Sequence, residues 1–377
     1  MKIDWASERQ LFPAVTKQTY LLTAAVGPIS TSVYSSYQNH YKSLLENGDV
    51  NWIKNIDMLE QVRAKTAQFL GSNGDHEIAF TANTSLAMNL LALIFKTKLQ
   101  NQSRPLRVLS CKEEFPSTTV PWLHHGFEVI QVPACHLVSK VEELKPALVV
   151  ASAVQFGTGY RQNLHLLGEV CHNSGVELIV NATQAMGAFP IHVKEMKIVA
   201  LTASCYKWMC CGYGLNVVYL SENLLPTAQW PIAGWLSVED PLAMNNRNLK
   251  LKKQASALEV GIPMFSLLAA LGTQIEYIQR LGIDYIAKRI LEVSSYAYEL
   301  LAPNFKVISQ RSSTPELNSC DSGTLLFEVD NAESVVEQLN RKKIYVSIRQ
   351  GGIRVSSHFY NNEQDINRLM EGLKVNY

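Results

Sequence analysis

The residue with the clearest chemical potential is Lys207, which follows a largely apolar segment and stands among small, aromatic and cysteine residues. The segment Val199–Ala203 predicts a strand, and in an open parallel sheet ligands bind beyond the carboxyl ends of the strands. An amine in such a place loses its proton readily and can form a Schiff base with an aldehyde. The alternative is an ordinary solvated loop lysine, which local composition alone does not exclude.

Hydroxyl groups near Lys207 and at a second place in the chain could bind a phosphate. Thr84 and Ser85 stand at the start of a predicted helix, where free backbone N–H groups and the helix dipole favour an anion. Ser204 and Tyr206 lie just before Lys207. A plain helix cap is the alternative for Thr84. Taken together, a phosphate cradle, an aldehyde-accepting lysine and an aromatic neighbour meet the needs of a pyridoxal phosphate site.

Apolar patterning predicts the layered fold that must position these residues. Apolar strands alternate with amphipathic helices over the first two thirds of the chain, which indicates an α/β fold with a mostly parallel sheet covered on both faces. The predicted strands are Arg107–Ser110, Glu128–Val132, Ala147–Ser152, Glu177–Asn181, Val199–Ala203 and Leu215–Leu220. The predicted helices are Asp57–Leu70, Ser85–Lys98 and Leu164–Ser174, the first of them ending at Gly71.

The pattern changes after about residue 245, where a smaller α+β domain is expected. Its predicted helices are Phe265–Arg280, Asp284–Leu301 and Asn362–Leu373, and its predicted strands are Thr324–Val329, Tyr345–Arg349 and Ile353–Ser356. We therefore expect a large cofactor-binding domain over residues 31–245 and a small domain over residues 246–377. Residues 1–30 are expected to pack with the small domain.

Composition excludes several classes of partner. The 377 residues carry a formal net charge of +1, so no general field attracts nucleic acid or an anionic membrane. No apolar run approaches the length of a membrane helix, and the first residues lack the apolar core of a signal peptide. The seven cysteines have scattered spacings, which favours reduced thiols and a cytoplasmic location. The nine histidines form no metal-binding pattern, so no metal site is expected.

Five segments in chain order resemble those of one enzyme family. The chain resembles the class V aminotransferases, a group within fold type I of the pyridoxal phosphate enzymes that includes cysteine desulfurases, kynureninases and isopenicillin N epimerase. The resemblance implies a seven-stranded type of sheet in the large domain and covers almost the whole length. The matching segments are Tyr20–Pro28, Glu77–Ser85, Ser152–Gly159, Ser204–Trp208 and Ile353–Asn361.

The resemblance implies a role for each residue around the cofactor. Lys207 would form the Schiff base and later move the α-proton of the substrate. Gln184 would donate a hydrogen bond to the phenolic oxygen of the cofactor, with Gln155 nearby. Phe115 would stack on the ring; an aromatic residue there resembles kynureninases and epimerases, whereas desulfurases usually have histidine, and ordinary core packing is the alternative. The phosphate would be held by Thr84, Ser85, Ser204 and Tyr206.

Two more residues are implied to act from outside this cluster. Arg354 would bind the substrate carboxylate, because a guanidinium offers a planar fork that matches a carboxylate; a surface salt bridge is the alternative. Trp235 could reach the phosphate region of a neighbouring subunit. The family usually builds its sites across a subunit interface, so we expect a homodimer.

One position departs from the family pattern. The family usually has aspartate where this chain has Asn181, in Asn181-Ala182-Thr183-Gln184. That aspartate pairs with the pyridine nitrogen of the cofactor and favours its protonated form. Asparagine is neutral, so we hypothesise that the ring nitrogen is largely unprotonated and that the cofactor is a weaker electron sink.

The expected function is an enzyme acting on an α-amino acid or a related amine, as an aminotransferase, an epimerase or a lyase. One alternative is a cysteine or cystine C–S β-lyase. Another is a cofactor-binding protein with reduced or no catalysis, which Asn181 favours. Desulfuration through a protein persulfide is not expected, because Cys320 precedes the strand that the family's nucleophile follows. The three cysteines near Lys207 are expected to be inert packing residues; they are Cys205, Cys210 and Cys211.

Overall fold

The computed structural model describes residues 3–247, 249–312 and 319–374. Within these ranges, no helix is long and apolar enough to cross a membrane. The strands are β1 (Thr19–Tyr20), β2 (Ile78–Thr81), β3 (Arg107–Cys111), β4 (Glu128–Val132), β5 (Leu148–Ser152), β6 (Glu177–Asn181), β7 (Ala200–Ser204), β8 (Asn216–Leu220), β9 (Thr324–Phe327), β10 (Ile344–Tyr345), β11 (Ser347–Arg349) and β12 (Gly352–Ser356).

The helices surround these strands and connect most of them. They are α1 (Trp5–Gln10), α2 (Pro13–Lys17), α3 (Thr31–Asn47), α4 (Trp52–Leu70), α5 (Thr84–Asn101), α6 (Pro116–His124), α7 (Leu137–Leu144), α8 (Leu164–Asn173), α9 (Phe265–Leu281), α10 (Ile283–Leu301), α11 (Ala332–Arg341) and α12 (Glu363–Leu373). Short local signals set several of their ends. Gly71 closes α4 in the left-handed conformation, with a φ of 62°. Asn83 caps α5 by accepting a hydrogen bond from the backbone N–H of Leu86.

A seven-stranded sheet forms the centre of the molecule. Its strand order is β2-β8-β7-β6-β5-β3-β4, and only β8 runs antiparallel to its neighbours among these strands. The expected α/β fold with a mostly parallel sheet is confirmed. Successive residues of each strand enter two different apolar clusters, as Val149 and Val150 do, because side chains alternate between the faces of a sheet. Both faces are therefore buried.

The last third of the chain contributes a separate antiparallel sheet of order β11-β12-β9. Its apolar face packs with α11, α12 and the second half of α10 in a third apolar cluster. The N-terminal segment also reaches this region, since β1 pairs in parallel with β10 and Leu21 belongs to the third cluster.

The domain boundary expected near residue 245 stays a prediction, and apolar packing favours a later one. Helix α9 packs against α3 and α4 in the first cluster. That cluster continues through Leu291 in α10, whereas Val293 already belongs to the third cluster. We place the joint between the two cores inside α10.

Several predicted elements differ from the structure. The expected strand Tyr345–Arg349 is divided, because β10 pairs with β1 whereas β11 pairs with β12, and the chain changes partner at Val346. The elements that patterning missed include β2, α3, α6 and α11. Of these, α3 has only one buried residue, Val33, so it offers no clear apolar stripe.

A buried ion pair ties the N-terminal segment to the last helix. Arg9 Nη1 lies 2.6 Å from Asp365 Oδ2, and Asp365 is almost fully buried. We expect Arg9→Met to lower the free energy of unfolding by about 3 kcal/mol, because it leaves a buried carboxylate without its cation. Arg107→Met is the matched control, since both members of the pair between Arg107 and Glu128 are about half exposed, and we expect a loss below about 1 kcal/mol. Equal losses in urea titrations of the two variants would contradict the structural role of Arg9.

Candidate active site

The carboxyl ends of three neighbouring strands bring the predicted residues together. Ser152 ends β5, Asn181 ends β6 and Ser204 ends β7. Ser152 pairs with Asn181 in the register of the sheet, so their side chains start from adjacent points of one edge. Lys207 follows three residues after β7. The sheet thus places polar side chains where an α/β fold binds its ligands.

A cleft with a volume of about 90 Å³ opens at this edge. Predicted residues that line it are Thr84, Ser85, Phe115, Asn181, Gln184, Ser204, Tyr206 and Lys207. Residues that line it and were not predicted are Asn83, Ser117, Ser152, Phe156 and Thr183. The larger cavities of the described chain lie elsewhere, and none of them contains Lys207.

The amine of Lys207 is buried in this cleft between aromatic rings. Its side chain belongs to a residue that is 8% exposed, and its Nζ lies 5.7 Å from the ring centre of Phe115 and 5.6 Å from that of Tyr206. Burial, together with the smaller effect of the positive charges of Arg354 and Arg349, lowers the pKa of Lys207 to about 7. A large fraction of the amine is therefore uncharged and nucleophilic at neutral pH.

Hydroxyl groups at the start of α5 form a connected network. Thr84 Oγ1 lies 2.8 Å from Ser204 Oγ and 3.0 Å from Thr183 Oγ1. Asn216 Oδ1 accepts hydrogen bonds from Thr84 and Ser204. The network fixes these side chains at the start of α5, where the helix dipole favours the binding of a phosphate. Ser85 stands at its rim, with its hydroxyl 2.7 Å from that of Ser117.

The amide of Gln184 is oriented by two fixed partners. Its Oε1 accepts a hydrogen bond of 2.7 Å from the indole N–H of Trp208, and its Nε2 donates one of 2.9 Å to the carbonyl of Ala24. An amide nitrogen has two hydrogens, so one N–H of Gln184 remains for a ligand. This arrangement fits the expected contact with a phenolic oxygen.

Aromatic side chains cover the cleft, as expected for a flat ring ligand. Phe115 is 42% exposed, which argues against ordinary core packing. It contacts Phe156 edge to face at 5.2 Å. Tyr206 lies against Tyr213 at 5.3 Å, and burial raises the pKa of its phenol, with a further contribution from Tyr213. Tyr206 therefore acts as a neutral hydroxyl.

Arg354 lies beside the cleft on the small sheet rather than in its lining. Its Nη1 donates a hydrogen bond of 2.6 Å to the carbonyl of Phe156, and its Nε donates one of 3.0 Å to Ser347 Oγ. Its Nη2 is buried and has no protein partner in the described part of the chain. Burial, together with the smaller effect of the positive charge of Arg349, lowers the pKa of Arg354 to about 9. The surface salt bridge considered as an alternative does not fit this buried position.

Two other predicted residues lie outside the lining. Gln155 is fully buried beneath the cleft wall, where its Nε2 donates to Glu114 at 2.8 Å. Trp235 is 37% exposed and stacks on Trp52 at 6.2 Å. Their expected roles stay predictions.

The residues that patterning missed were detectable in part. Asn216 opens a strand that is otherwise apolar, and a polar residue in a buried strand needs hydrogen-bond partners. Thr183 stands inside the predicted segment from Asn181 to Gln184. Phe156 lies inside the segment Ser152–Gly159 that resembles the family, whereas Ser117 gave no signal, because it stands in α6, a helix that patterning missed.

The cavity therefore fits pyridoxal phosphate. It combines a buried amine of lowered pKa, a hydroxyl cradle at a helix start, exposed aromatic rings and an amide with a spare donor. Metal binding has no comparable support, since the described residues contain no group of three side chains suited to hold an ion.

The lowered pKa of Lys207 leads to a pH dependence. We expect the cofactor-free protein to react with pyridoxal phosphate faster as pH rises through about 7, because only the uncharged amine attacks the aldehyde. Arg349→Gln removes a nearby positive charge, so the pKa of Lys207 should rise and the profile should move to higher pH. The measurement is the rate at which pyridoxal phosphate becomes fixed to the protein by borohydride reduction, followed across pH. Arg341→Gln is the control, because Arg341 belongs to an exposed ion pair with Glu337. A parent midpoint near 10, the ordinary range of lysine, would contradict the effect of burial.

Comparisons with known proteins agree with this geometry. A family model described as aminotransferase class-V matches residues 19–369. The uncharacterized aminotransferase YcbU of Bacillus subtilis is 22% identical over 370 residues, which cover 96% of this chain and 95% of that protein. A probable cysteine desulfurase of Synechocystis is 22% identical over 410 residues, covering 98% of this chain and 95% of the relative.

Solved structures share the fold over the whole chain. The apo structure of a cysteine desulfurase from Thermococcus onnurineus has a TM-score of 0.89 at 21% identity and covers 100% of this chain and 98% of its own. The complex of the cystine C–S lyase C-DES with its product cysteine persulfide has a TM-score of 0.83 at 18% identity, covering 96% and 98%. The family resemblance, the fold class and the cofactor class expected from the sequence are thereby confirmed. The chain belongs to the class-V aminotransferase family of pyridoxal phosphate-dependent transferases and lyases.

Proposed function

We propose that Lys207 anchors pyridoxal phosphate and moves the α-proton of an amino acid bound at the same cleft. The single observation that supports this most is the buried amine of lowered pKa among aromatic rings. An amine with a pKa near neutrality can both take up and release a proton at physiological pH. The same group therefore suits attachment of the aldehyde and proton transfer.

In this proposal, the residues around Lys207 each contact a different part of the cofactor. Thr84, Ser204 and Tyr206 supply hydroxyls for the phosphate, and Ser85 extends them at the rim. Phe115 covers one side of the ring position, and Gln184 directs its spare N–H toward a phenolic oxygen. When bound, pyridoxal phosphate supplies an aldehyde that condenses with amines and a conjugated ring that withdraws electrons from the α-carbon.

Arg354 is the proposed binding group for the substrate carboxylate. Its Nη1 is tethered to the carbonyl of Phe156 in the cleft wall, and its buried Nη2 lacks a protein acceptor within the described residues. A buried donor without a partner is unfavourable, and a carboxylate would satisfy it with a charge-assisted hydrogen bond. Under this proposal, an α-amino acid is recognised where the small sheet meets the cleft wall.

Several reactions start from removal of the α-proton, and transamination, epimerisation and elimination stay open. A cysteine or cystine C–S lyase is the second candidate, and the environment of the thiols favours it over a desulfurase. No cysteine lines the cleft within the described part of the chain. Burial raises the pKa of Cys205 to about 12, so that thiol is a poor nucleophile. Elimination needs no protein thiol, whereas desulfuration through a persulfide does.

We also propose that two copies of the chain form a homodimer. An apolar surface runs over α3 and the start of α4 toward Trp235, and isolated chains seldom expose so many large apolar side chains together. Helix α3 also contacts the segment that follows Lys207, since the hydroxyl of Tyr37 donates to the carbonyl of Cys211. The exposed members are Tyr34, Tyr41, Leu44, Leu45, Val50, Ile53, Trp235 and Ile262.

A reducing compartment such as the cytoplasm suits this chain. All seven cysteines are free, and five of them are buried. Buried thiols of raised pKa, such as that of Cys171 at about 12, do not require an oxidising environment for their role in packing.

The proposal is tested by spectroscopy of the purified protein with pyridoxal phosphate and a panel of amino acids. We expect a visible absorption band that survives desalting and that Lys207→Ala abolishes. Arg354→Gln should keep the band but weaken the response to amino acids roughly 10- to 100-fold, as expected for the loss of one charge-assisted hydrogen bond. The response to a simple amine without a carboxylate is the matched control and should not change.

Product analysis separates the candidate reactions. Pyruvate and ammonia, released with sulfide from cysteine or with cysteine persulfide from cystine, would identify the lyase, and that activity should survive in Cys320→Ser. A keto acid together with the amine form of the cofactor would identify transamination. A parent protein that stays colourless with excess cofactor would overturn the assignment of Lys207.

The dimer is tested by sedimentation of the parent and of surface variants. We expect twice the chain mass for the parent, and dissociation in Leu45→Glu/Ile53→Glu, because buried charges without partners destabilise an interface. Leu166→Glu, at an exposed leucine on α8, should leave the mass unchanged. A parent that sediments as a single chain at micromolar concentration would contradict the dimer.

A further inference from the structure

Arg349 is a second arginine on the small sheet, and the proposed binding of cofactor and substrate does not use it. It ends β11, and the next two residues turn the chain into β12 with φ values of 50° at Gln350 and 76° at Gly351. Positive φ at both central positions is typical of a two-residue hairpin turn of type I′. This turn fixes the register in which Arg349 lies opposite Gly352, a residue without a side chain.

The pleat of this hairpin places Arg349 and Arg354 on one face. Ser347 lies opposite Arg354 in the register, and Arg349 stands two residues after Ser347. Side chains alternate between the faces of a sheet, so these three residues share a face. The intervening Ile348 and Ile353 occupy the other face, where they pack in the third apolar cluster. The two arginines are diagonal neighbours across the hairpin, close enough for their long side chains to reach one ligand.

The face that carries the two arginines lies against the wall of the cleft. Arg354 Nη1 donates to the carbonyl of Phe156, whose side chain lines the cleft. At the turn, Gln350 Nε2 would lie 3.5 Å from a Cβ added at Gly157. The hairpin therefore contacts the cleft wall both at Arg354 and at the turn that directly follows Arg349.

The two guanidinium groups lack counter-charges within the described part of the chain. Neither of them forms an ion pair with a described carboxylate. Arg354 is 1% exposed, and its buried Nη2 has no partner among the described residues. The hydrogen bond of Arg349 is local, since its Nη1 donates to the carbonyl of the neighbouring Ile348 at 2.6 Å. The described lining of the cleft also contains no aspartate or glutamate. Two like charges on one face favour a ligand that brings two negative charges.

We propose that Arg349 is a specificity-determining residue that binds a second acid group on the substrate, so the preferred substrate is a dicarboxylic α-amino acid of the size of aspartate or glutamate. The proposal deepens the proposed function and rests on the binding of the α-carboxylate by Arg354. A guanidinium matches a carboxylate in shape and in charge. The side-chain amide of asparagine or glutamine would instead direct its N–H groups at another donor and leave them without an acceptor.

The test compares each acid with the amide of the same shape. The parent and Arg349→Gln, both loaded with pyridoxal phosphate, are titrated with aspartate, asparagine, glutamate and glutamine, and the concentration at half of the spectral change is measured. We expect the parent to respond to one of the acids at a concentration roughly 10-fold or more below that of its amide, as for a hydrogen bond between charged groups. Arg349→Gln should abolish this ratio, and a ratio taken within one protein cancels any effect of the substitution on Lys207. Arg341→Gln, at an exposed ion pair, is the matched control and should keep the ratio of the parent.

A second readout requires neither the cofactor nor catalysis. Succinate and glutarate carry two carboxylates without an amino group, whereas their monoamides carry one. A ligand that binds only the folded state raises the unfolding midpoint. We therefore expect succinate or glutarate to raise the midpoint of the cofactor-free parent more than the corresponding monoamide does. This difference should disappear in Arg349→Gln and in Arg354→Gln, and it should persist in Arg341→Gln.

The outcomes separate this proposal from the proposed function. A parent that responds equally to acids and amides, or that responds to neither acid, overturns the role of Arg349 while Lys207 keeps its assignment. An acid preference that Arg349→Gln leaves unchanged overturns it as well. If the parent does not bind the cofactor, the assignment of Lys207 fails, and the midpoints with succinate and glutarate still decide for or against Arg349.

Discussion

Hydrogen bonds to the backbone of the loop that contains Lys207 hold distant segments of the chain together. From the N-terminal segment, the N–H of Gly27 donates to the carbonyl of Tyr206 at 2.9 Å. From the C-terminal part of the chain, His358 Nε2 lies 3.0 Å from the carbonyl of Trp208. A Cβ at Gly27 would lie 1.9 Å from the carbonyl oxygen of Lys207, so the two backbones approach as closely as glycine permits. The position of the amine therefore depends on segments far apart in the chain.

These backbone contacts hold two cationic side chains in positions where their burial lowers the stability of the ligand-free fold. Lys207 and Arg354 are buried cations, and burial lowers the pKa of both. Neither forms an ion pair with a carboxylate in the described part of the chain. Keeping such groups out of water costs stability, and anionic ligands would offset that cost by binding only the folded state. The site is thus prepared for anions by the same interactions that destabilise the cofactor-free fold.

Local patterning predicted most of the central sheet, because buried parallel strands are short apolar runs, and it placed Lys207 correctly beyond β7. Local patterning failed where the bounds of a strand depend on which distant strand it pairs with. Val346 joins two strands of different sheets, which no local pattern separates, and the polar network at Asn216 becomes visible only when three strand ends meet. The family resemblance supplied the roles of Phe115 and Arg354, which single residues could not indicate. Geometry then added the orientation of the Asn181 amide, because the backbone N–H of Thr183 donates to its Oδ1.

Helix α10 belongs to two cores at once, and this limits how the molecule can move. Ile286 and Ile290 pack in the core of the central sheet, while Ala297 and Leu301 pack in that of the small sheet. An uninterrupted helix shared in this way resists rotation of one core against the other, because rotation would unpack one half of it. Access to the cleft then depends on short loops, such as the Gln350–Gly351 turn that faces Gly157, rather than on a swinging domain. Substrate entry would thus require a local movement of these loops and no rotation of one core against the other.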